Sequence, residues 1–116
     1  MKSAKPIKEL KKIQKEFDLE HQGNIPFYEE INDNNIDALE HLLVCLMGEL
    51  GEFSNIVKKV KRGDFPLSDK TDELTDEMAD IFIYLLKISN QMDIDLEKAF
   101  LNKLEKNKKR FKHYKI

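Results

Sequence analysis

From Leu39 to Val60 the apolar residues Leu39, Leu43, Leu46, Leu50, Phe53, Val57 and Val60 recur at spacings of 4-3-4-3-4-3. From Leu74 to Met92 the series Leu74, Met78, Ile81, Leu85, Ile88 and Met92 repeats the pattern as 4-3-4-3-4. That period keeps apolar side chains on one side of an α-helix and does not suit a strand, whose faces alternate at every residue. Between the two stretches lies Gly63-Asp64-Phe65-Pro66. A glycine after a basic last turn closes a helix, and the proline cannot resume it. Two long neighbouring helices are therefore expected, over Ile36 to Arg62 and Lys70 to Met92.

Two further helices flank them. One runs from Ile7 to Leu19, with Ile7, Leu10, Ile13 and Phe17 on one side, and the other from Leu96 to Phe111 with Asp95 as its cap. Gly23, Pro26 and Asn32-Asp33-Asn34-Asn35 mark a loop between the first helix and the second. No segment alternates like a strand, so the class is all-α: a four-helix-bundle-type domain with helices two and three at its core. At 116 residues the chain is one domain. It divides into an N-terminal helix and loop (1–34) and a helical core (36–111). Val44, Met47, Phe82, Ile83 and Leu86 make helices two and three apolar on more than one side. Four helices supply little cover for that much apolar surface, which predicts a homodimer or homotetramer.

Composition removes several classes. The formal net charge of −2 does not give a whole-molecule nucleic-acid footprint. The signs are nevertheless segregated: residues 69–80 hold six acids and one Lys, whereas 103–116 hold seven Lys or Arg and one Glu. The single cysteine, Cys45, excludes an internal disulfide and reads as a small core residue in a reducing compartment. No stretch has the apolar length of a membrane span, and a cytoplasmic protein is expected.

Inside the apolar stripes sit two matching acid pairs, Glu49-x-x-Glu52 and Glu77-x-x-Asp80, whose first members are 28 residues apart. The i,i+3 spacing puts both carboxylates of a pair on one helix face. At 100° per residue, Glu49 lies roughly 80° and Glu77 roughly 60° from the leading leucine of its own stripe, on the same shoulder. Leu42, Cys45 and Ile56 share the arc with Glu49. Asp69/Asp72 and Glu73/Asp76 lack such surroundings and read as a solvated face.

Two like charges about 5 Å apart repel by roughly 3 kcal/mol at an effective dielectric near 20. Four converging carboxylates therefore need protons or a cation. Oxygen ligands favour a hard ion, Mg2+ or Mn2+, over Zn2+. His21, His41 and His113 form no Glu-x-x-His pair, which argues against a di-iron centre. In the last helix Lys103, Asn107 and Arg110 share a face beside Phe100, Leu104 and Phe111, which are expected to anchor that helix to the core. Their side chains suit phosphate oxygens and a sugar or base edge.

Together these motifs resemble the MazG-type all-α nucleoside triphosphate pyrophosphohydrolase superfamily. Gly48-Glu49-Leu50-Gly51-Glu52 and Asp76-Glu77-Met78-Ala79-Asp80 are similar to its two acidic motifs, with 24 residues between the pairs. Lys103-x-x-x-Asn107-x-x-Arg110 is similar to the nucleotide-binding stretch of the dCTP pyrophosphatase branch. The resemblance spans Leu39 to Phe111. It implies Mg2+-dependent hydrolysis of a (deoxy)nucleoside triphosphate to the monophosphate and pyrophosphate, serving nucleotide-pool house-cleaning. It also implies metal ligands Glu49, Glu52, Glu77 and Asp80, with Glu49 or Glu52 as proton acceptor. Tyr84, Lys103, Asn107 and Arg110 would then bind substrate. The N-terminal third departs from the family, having no Trp to hold the base, and Phe27, Tyr28 or His41 could substitute. The other readings are a metal-sensing or partner-binding helical module, a dimeric dUTPase, and a phosphoribosyl-ATP pyrophosphohydrolase.

Overall fold

The computed structural model describes residues 5–116. Four helices follow in chain order: α1 (Ile7–Leu19), α2 (Ile36–Arg62), α3 (Thr71–Gln91) and α4 (Leu96–Arg110). Among the described residues there is no β-strand, only an isolated bridge between Gln22 and Pro26. The breaks fall where the turn chemistry puts them. Gly63 closes α2 in the left-handed region at φ 94°, which a side chain disfavours. Asp93, at φ 54°, turns the chain out of α3, and Asp95 caps α4 by accepting from the Lys98 N–H at 3.0 Å. Asn35 does not cap α2. Its side chain donates to Glu29 and the Glu30 carbonyl and accepts from the Asn32 N–H, tying the preceding loop together.

α2 and α3 form an antiparallel pair that makes most of the tertiary packing. Glu49 and Glu52 meet Glu77, Cys45 reaches Tyr84, and His41 shares a cavity wall with Lys87. Residue numbers rise along α2 as they fall along α3. α1 packs on α3, and α4 leans on α1.

The faces in contact are shifted from those the apolar spacing selects: Leu39, Leu46, Phe53 and Val60 of the α2 stripe are half-buried, and in the α3 stripe Leu74 is buried and Ile81 and Ile88 are half-buried. Leu43, Leu50 and Val57 of the α2 stripe and Met78 and Leu85 of the α3 stripe are exposed. Leu42 is buried, and Cys45, Glu49 and Ile56 are half-buried. On the helical wheel the packed face of α2 centres roughly 70° from its leading leucine. The shoulder that carries the acids is thus the interface itself.

Buried apolar side chains are few: Leu42, Leu74 and Leu86 among the described residues. α4 corrects another expectation, because Phe100 is 61% exposed and Leu104 and Phe111 are also exposed, so they do not anchor it to the core. On α1, Ile13 and Phe17 are half in solvent while Asp18 is fully buried. The radius of gyration, 17.4 Å, exceeds the about 13 Å of a compact chain of roughly 100 residues. No helix among the described residues is long and apolar enough to cross a membrane.

Candidate functional site

Glu49 and Glu52 sit one turn apart on α2, and Glu77 faces them from α3. One carboxylate oxygen from each lies within 4.8 Å of the other two. Glu49 and Glu77 are half-buried and Glu52 is exposed, so the cluster opens to solvent on one side. Asp80, one turn further along α3, is half-buried and lies outside that trio.

Glu49 Oε2 and Glu77 Oε2 are buried without a hydrogen-bond partner. Ionised carboxylates are acceptors only, so no hydrogen bond can join them until one takes a proton. That shared proton with Glu49 is the main reason the Glu77 carboxyl is pushed up to about 7, followed by burial and the nearby Glu52. Such a site is unstable as a set of bare charges. It fits a hard divalent cation: the donors are all oxygen, they converge from two helices, and two of them have no other partner.

Tyr84 lies a turn beyond Asp80. Burial raises its phenol first, the Cys45 thiol adds to this, and the charges of Glu49 and Asp80 complete the shift to about 12. It therefore stays a neutral hydroxyl at any working pH. The Cys45 sulfur lies 3.8 Å from His41 Nε2. Cys45 is half-buried rather than a closed core residue.

Lys103, Asn107 and Arg110 occupy α4, whose packing is on α1. Lys103 and Arg110 are exposed, Asn107 is half-buried, and the Arg110 guanidinium lies over the Phe111 ring at 5.0 Å. Sequence reasoning missed Lys87, which ends a polar row on α3 formed by Glu77, Asp80, Tyr84 and Lys87 at 3-4-3 spacing. A lysine in the middle of an apolar helix, in register with the acids, was the available signal.

An all-α chain whose paired central helices aim carboxylates at a shared point belongs to the class of helical proteins with an acidic centre. More narrowly, the chain belongs to the MazG nucleotide pyrophosphohydrolase domain family, whose model matches residues 29–115. It is 33% identical over 82 residues to the Gene 37 protein of Mycobacterium phage L5, a match covering 66% of this chain and 72% of that protein. It is 29% identical over 75 residues to dCTP pyrophosphatase 1 of Rattus norvegicus, covering 61% of this chain and 44% of the rat protein. The chain thus spans less than half the length of that second relative. No solved structure matches it.

Proposed function

We propose that this chain hydrolyses a nucleoside triphosphate to the monophosphate and pyrophosphate, with Mg2+, or Mn2+ in its place, held by Glu49, Glu52, Glu77 and Asp80. The observation that carries the reading is the partnerless, buried oxygen on each of Glu49 and Glu77, within a trio able to ligate one ion. The chemistry supplied by a bound ion is neutralisation of phosphate charge and a lowered pKa for a ligated water. Exposed Glu52, or Glu49 beside it, accepts the proton of the attacking water. Tyr84, held neutral, donates to the sugar or base. Lys103 and Arg110 stabilise charge on the transferring and leaving phosphates, and Asn107 orients the nucleotide.

The working unit is a homo-oligomer. The chain exposes 9473 Å2, roughly 2,900 Å2 more than the about 6,600 Å2 expected of a compact monomer of 13.7 kDa. A standard interface covers about 800 Å2 per partner. The excess suits a large, obligate contact. Equal offsets on two antiparallel helices put the Leu43/Leu50/Val57 and Met78/Leu85 stripes on one side of the hairpin, where a second copy would cover them.

A pyrophosphate-release assay with canonical and modified triphosphates, with Mg2+ or EDTA, tests the reading. Mg2+-dependent turnover of at least one triphosphate is expected. Silence across the whole panel would refute it.

A further inference from the structure

His41 and Cys45 stand one turn apart on α2, and the Cys45 sulfur lies 3.8 Å from His41 Nε2. The i,i+4 step puts both side chains on one helix face, the spacing by which a helix offers two ligands to a single metal ion. A tetrahedral Zn2+ with bonds of about 2.3 Å to sulfur and about 2.05 Å to nitrogen holds those two atoms about 3.6 Å apart. The pair, at 3.8 Å, is within about 0.2 Å of that separation. As a hydrogen bond between a thiol and an imidazole it is weak.

The surroundings fit an ion. His41 is exposed and Cys45 is half-buried. His41 and Tyr84 line an open-sided cavity of about 150 Å3 between α2, α3 and the loop after α1. At about 30 Å3 per water, it has room for an ion and the waters that complete its coordination. The loop wall is fixed from α3. The Phe27 carbonyl accepts from Lys87 Nζ at 3.4 Å and from Gln91 Nε2 at 3.1 Å, and Asp18 accepts from the same ammonium at 3.2 Å. The Glu29 N–H donates to the Gln91 side chain and the Ile31 N–H to its carbonyl. The approach to His41 is therefore built before an ion arrives. Two positions remain on the ion, for water or for the Glu49 carboxylate on the next turn, whose Oε2 is buried without a partner.

Tyr84 supplies the outer contact. Burial, the Cys45 thiol and the charges of Glu49 and Asp80 keep its phenol protonated, so it has one O–H and can donate it once. A metal-bound sulfur is a thiolate, its proton released to solvent. A thiolate beside Tyr84 is a stronger acceptor than a thiol, and outer hydrogen bonds of this kind hold metal ligands in place.

The two centres on α2 differ in chemistry. The acidic trio offers only oxygen and suits a hard ion, whereas a thiolate with an imidazole selects a softer one. We propose that His41 and Cys45 form a second metal site, taking Zn2+ or an ion of its class, and that the bound ion is a brake: it draws the Tyr84 hydroxyl onto the Cys45 thiolate and away from the nucleotide. The binding stands apart from the triphosphate reading above, and the braking rests on it.

Co2+ is the probe for the site, because a cobalt–thiolate bond absorbs in the near ultraviolet and the chain has one thiol. Added to wild type in excess Mg2+, it should give that band at one ion per chain, and Zn2+ should abolish the band by displacement. Cys45→Ser should remove the band, and His41→Gln should lower Zn2+ affinity at least about tenfold. Glu77→Gln, which breaks the acidic trio, should keep it. Zn2+ but not Mg2+ should also slow alkylation of Cys45 in the unaltered protein, a readout that needs no variant. A missing band, a band lost with Glu77→Gln, or an alkylation rate indifferent to Zn2+ overturns the second site. Turnover tests the brake. In saturating Mg2+, the Zn2+ concentration that displaces Co2+ should lower wild-type turnover at least about tenfold, the worth of one lost hydrogen bond. Cys45→Ser should turn over like zinc-free wild type and resist the addition. Equal inhibition of both proteins places the inhibiting ion at the acids and overturns the brake. If wild type turns over no triphosphate, the hydrolase reading and the brake fall together, and the cobalt titration still decides the site.

Discussion

Glu49 on α2 and Glu77 on α3 each bury one carboxylate oxygen that no donor reaches, and their proximity lifts Glu77 to about 7. From about 4.5, its ordinary value, up to about 7 the folded chain keeps a proton that the unfolded chain has lost. The unfolded state binds fewer protons there, so stability falls as pH rises through that window and is flat below it. A divalent cation competes with the same proton, so its affinity should climb over the window and level off above it. Thermal melts in EDTA should decline from pH 5 to pH 8, and the rise produced by Mg2+ should be larger at pH 8. Glu77→Gln should flatten the first trend and remove the second. A metal-free melting temperature that increases over this range would contradict the coupling.

Removing single carboxylates should separate the trio from its neighbour. Glu52→Gln and Glu77→Gln each take a charge from the converging set and should lower Mg2+-dependent turnover at least about a hundredfold, as losses of preorganised electrostatic groups do. Asp80→Asn tests whether the fourth acid belongs to the same centre. A loss as large as that of Glu52→Gln would place it there, and near-normal kinetics would confine the centre to three glutamates.

How the acids came to lie on an interface bears on what the sequence could convey. Helix limits were legible to a residue or so, because Gly63, Pro66 and Asp95 act locally: Ile36 to Arg62 is both the expected and the observed α2. The phase of burial was not. A 4-3 repeat on a helix that is apolar on two sides fixes the period and leaves open which side faces the intrachain neighbour. Of the expected stripe, Leu43, Leu50 and Val57 stayed exposed, and the packed arc holds its other members, Leu39, Leu46, Phe53 and Val60, together with Leu42, Cys45 and Glu49. The acid pairs were readable because identical spacing at matching positions is rare by chance. The pairing of Lys87 with Asp18 was not, since it joins residues 69 positions apart.

Oligomerisation can be tested through the same exposed stripe. Leu50→Lys or Val57→Lys should shift sedimentation of the protein toward the monomer, because a lysine there would have to be desolvated on assembly. Wild type should sediment as a dimer or larger. If, with α4 leaning on α1, Lys103 and Arg110 act on phosphates bound by another subunit, activity should survive their separation from the acids onto different chains. Mixing inactive Glu52→Gln with inactive Arg110→Ala should then recover part of the activity. No recovery after verified subunit exchange would argue that each chain supplies its own cations.

Two glycines make opposite forecasts. A Cβ at Gly51 would meet nothing within 4 Å, so Gly51→Ala should stabilise the α2 interior by about 0.5–1 kcal/mol. Gly63, at φ 94°, also has open space around it, yet any side chain there is strained. Gly63→Ala should therefore cost about 1–2 kcal/mol. Urea denaturation reads both. Destabilisation by Gly51→Ala would reveal a close neighbour at that face, namely the second copy.

The Asp18–Lys87 pair offers the most direct measure of what a small core tolerates. Truncating one partner leaves the other charge buried, which typically costs about 3–5 kcal/mol. Lys87→Met and Asp18→Leu should each approach that loss. Asp18 in the first variant still accepts from Gln14, which sets it toward the lower end. The double variant removes both charges and fills the space with apolar atoms, so its loss should fall well below the sum of the singles. A double-mutant cycle by urea unfolding, with the Phe27 loop followed by hydrogen exchange at Glu29 and Ile31, separates two roles. If the pair mainly positions the loop, the double variant recovers global stability while exchange at those amides stays fast. If exchange recovers with stability, the ion pair is a packing element that an apolar pair replaces.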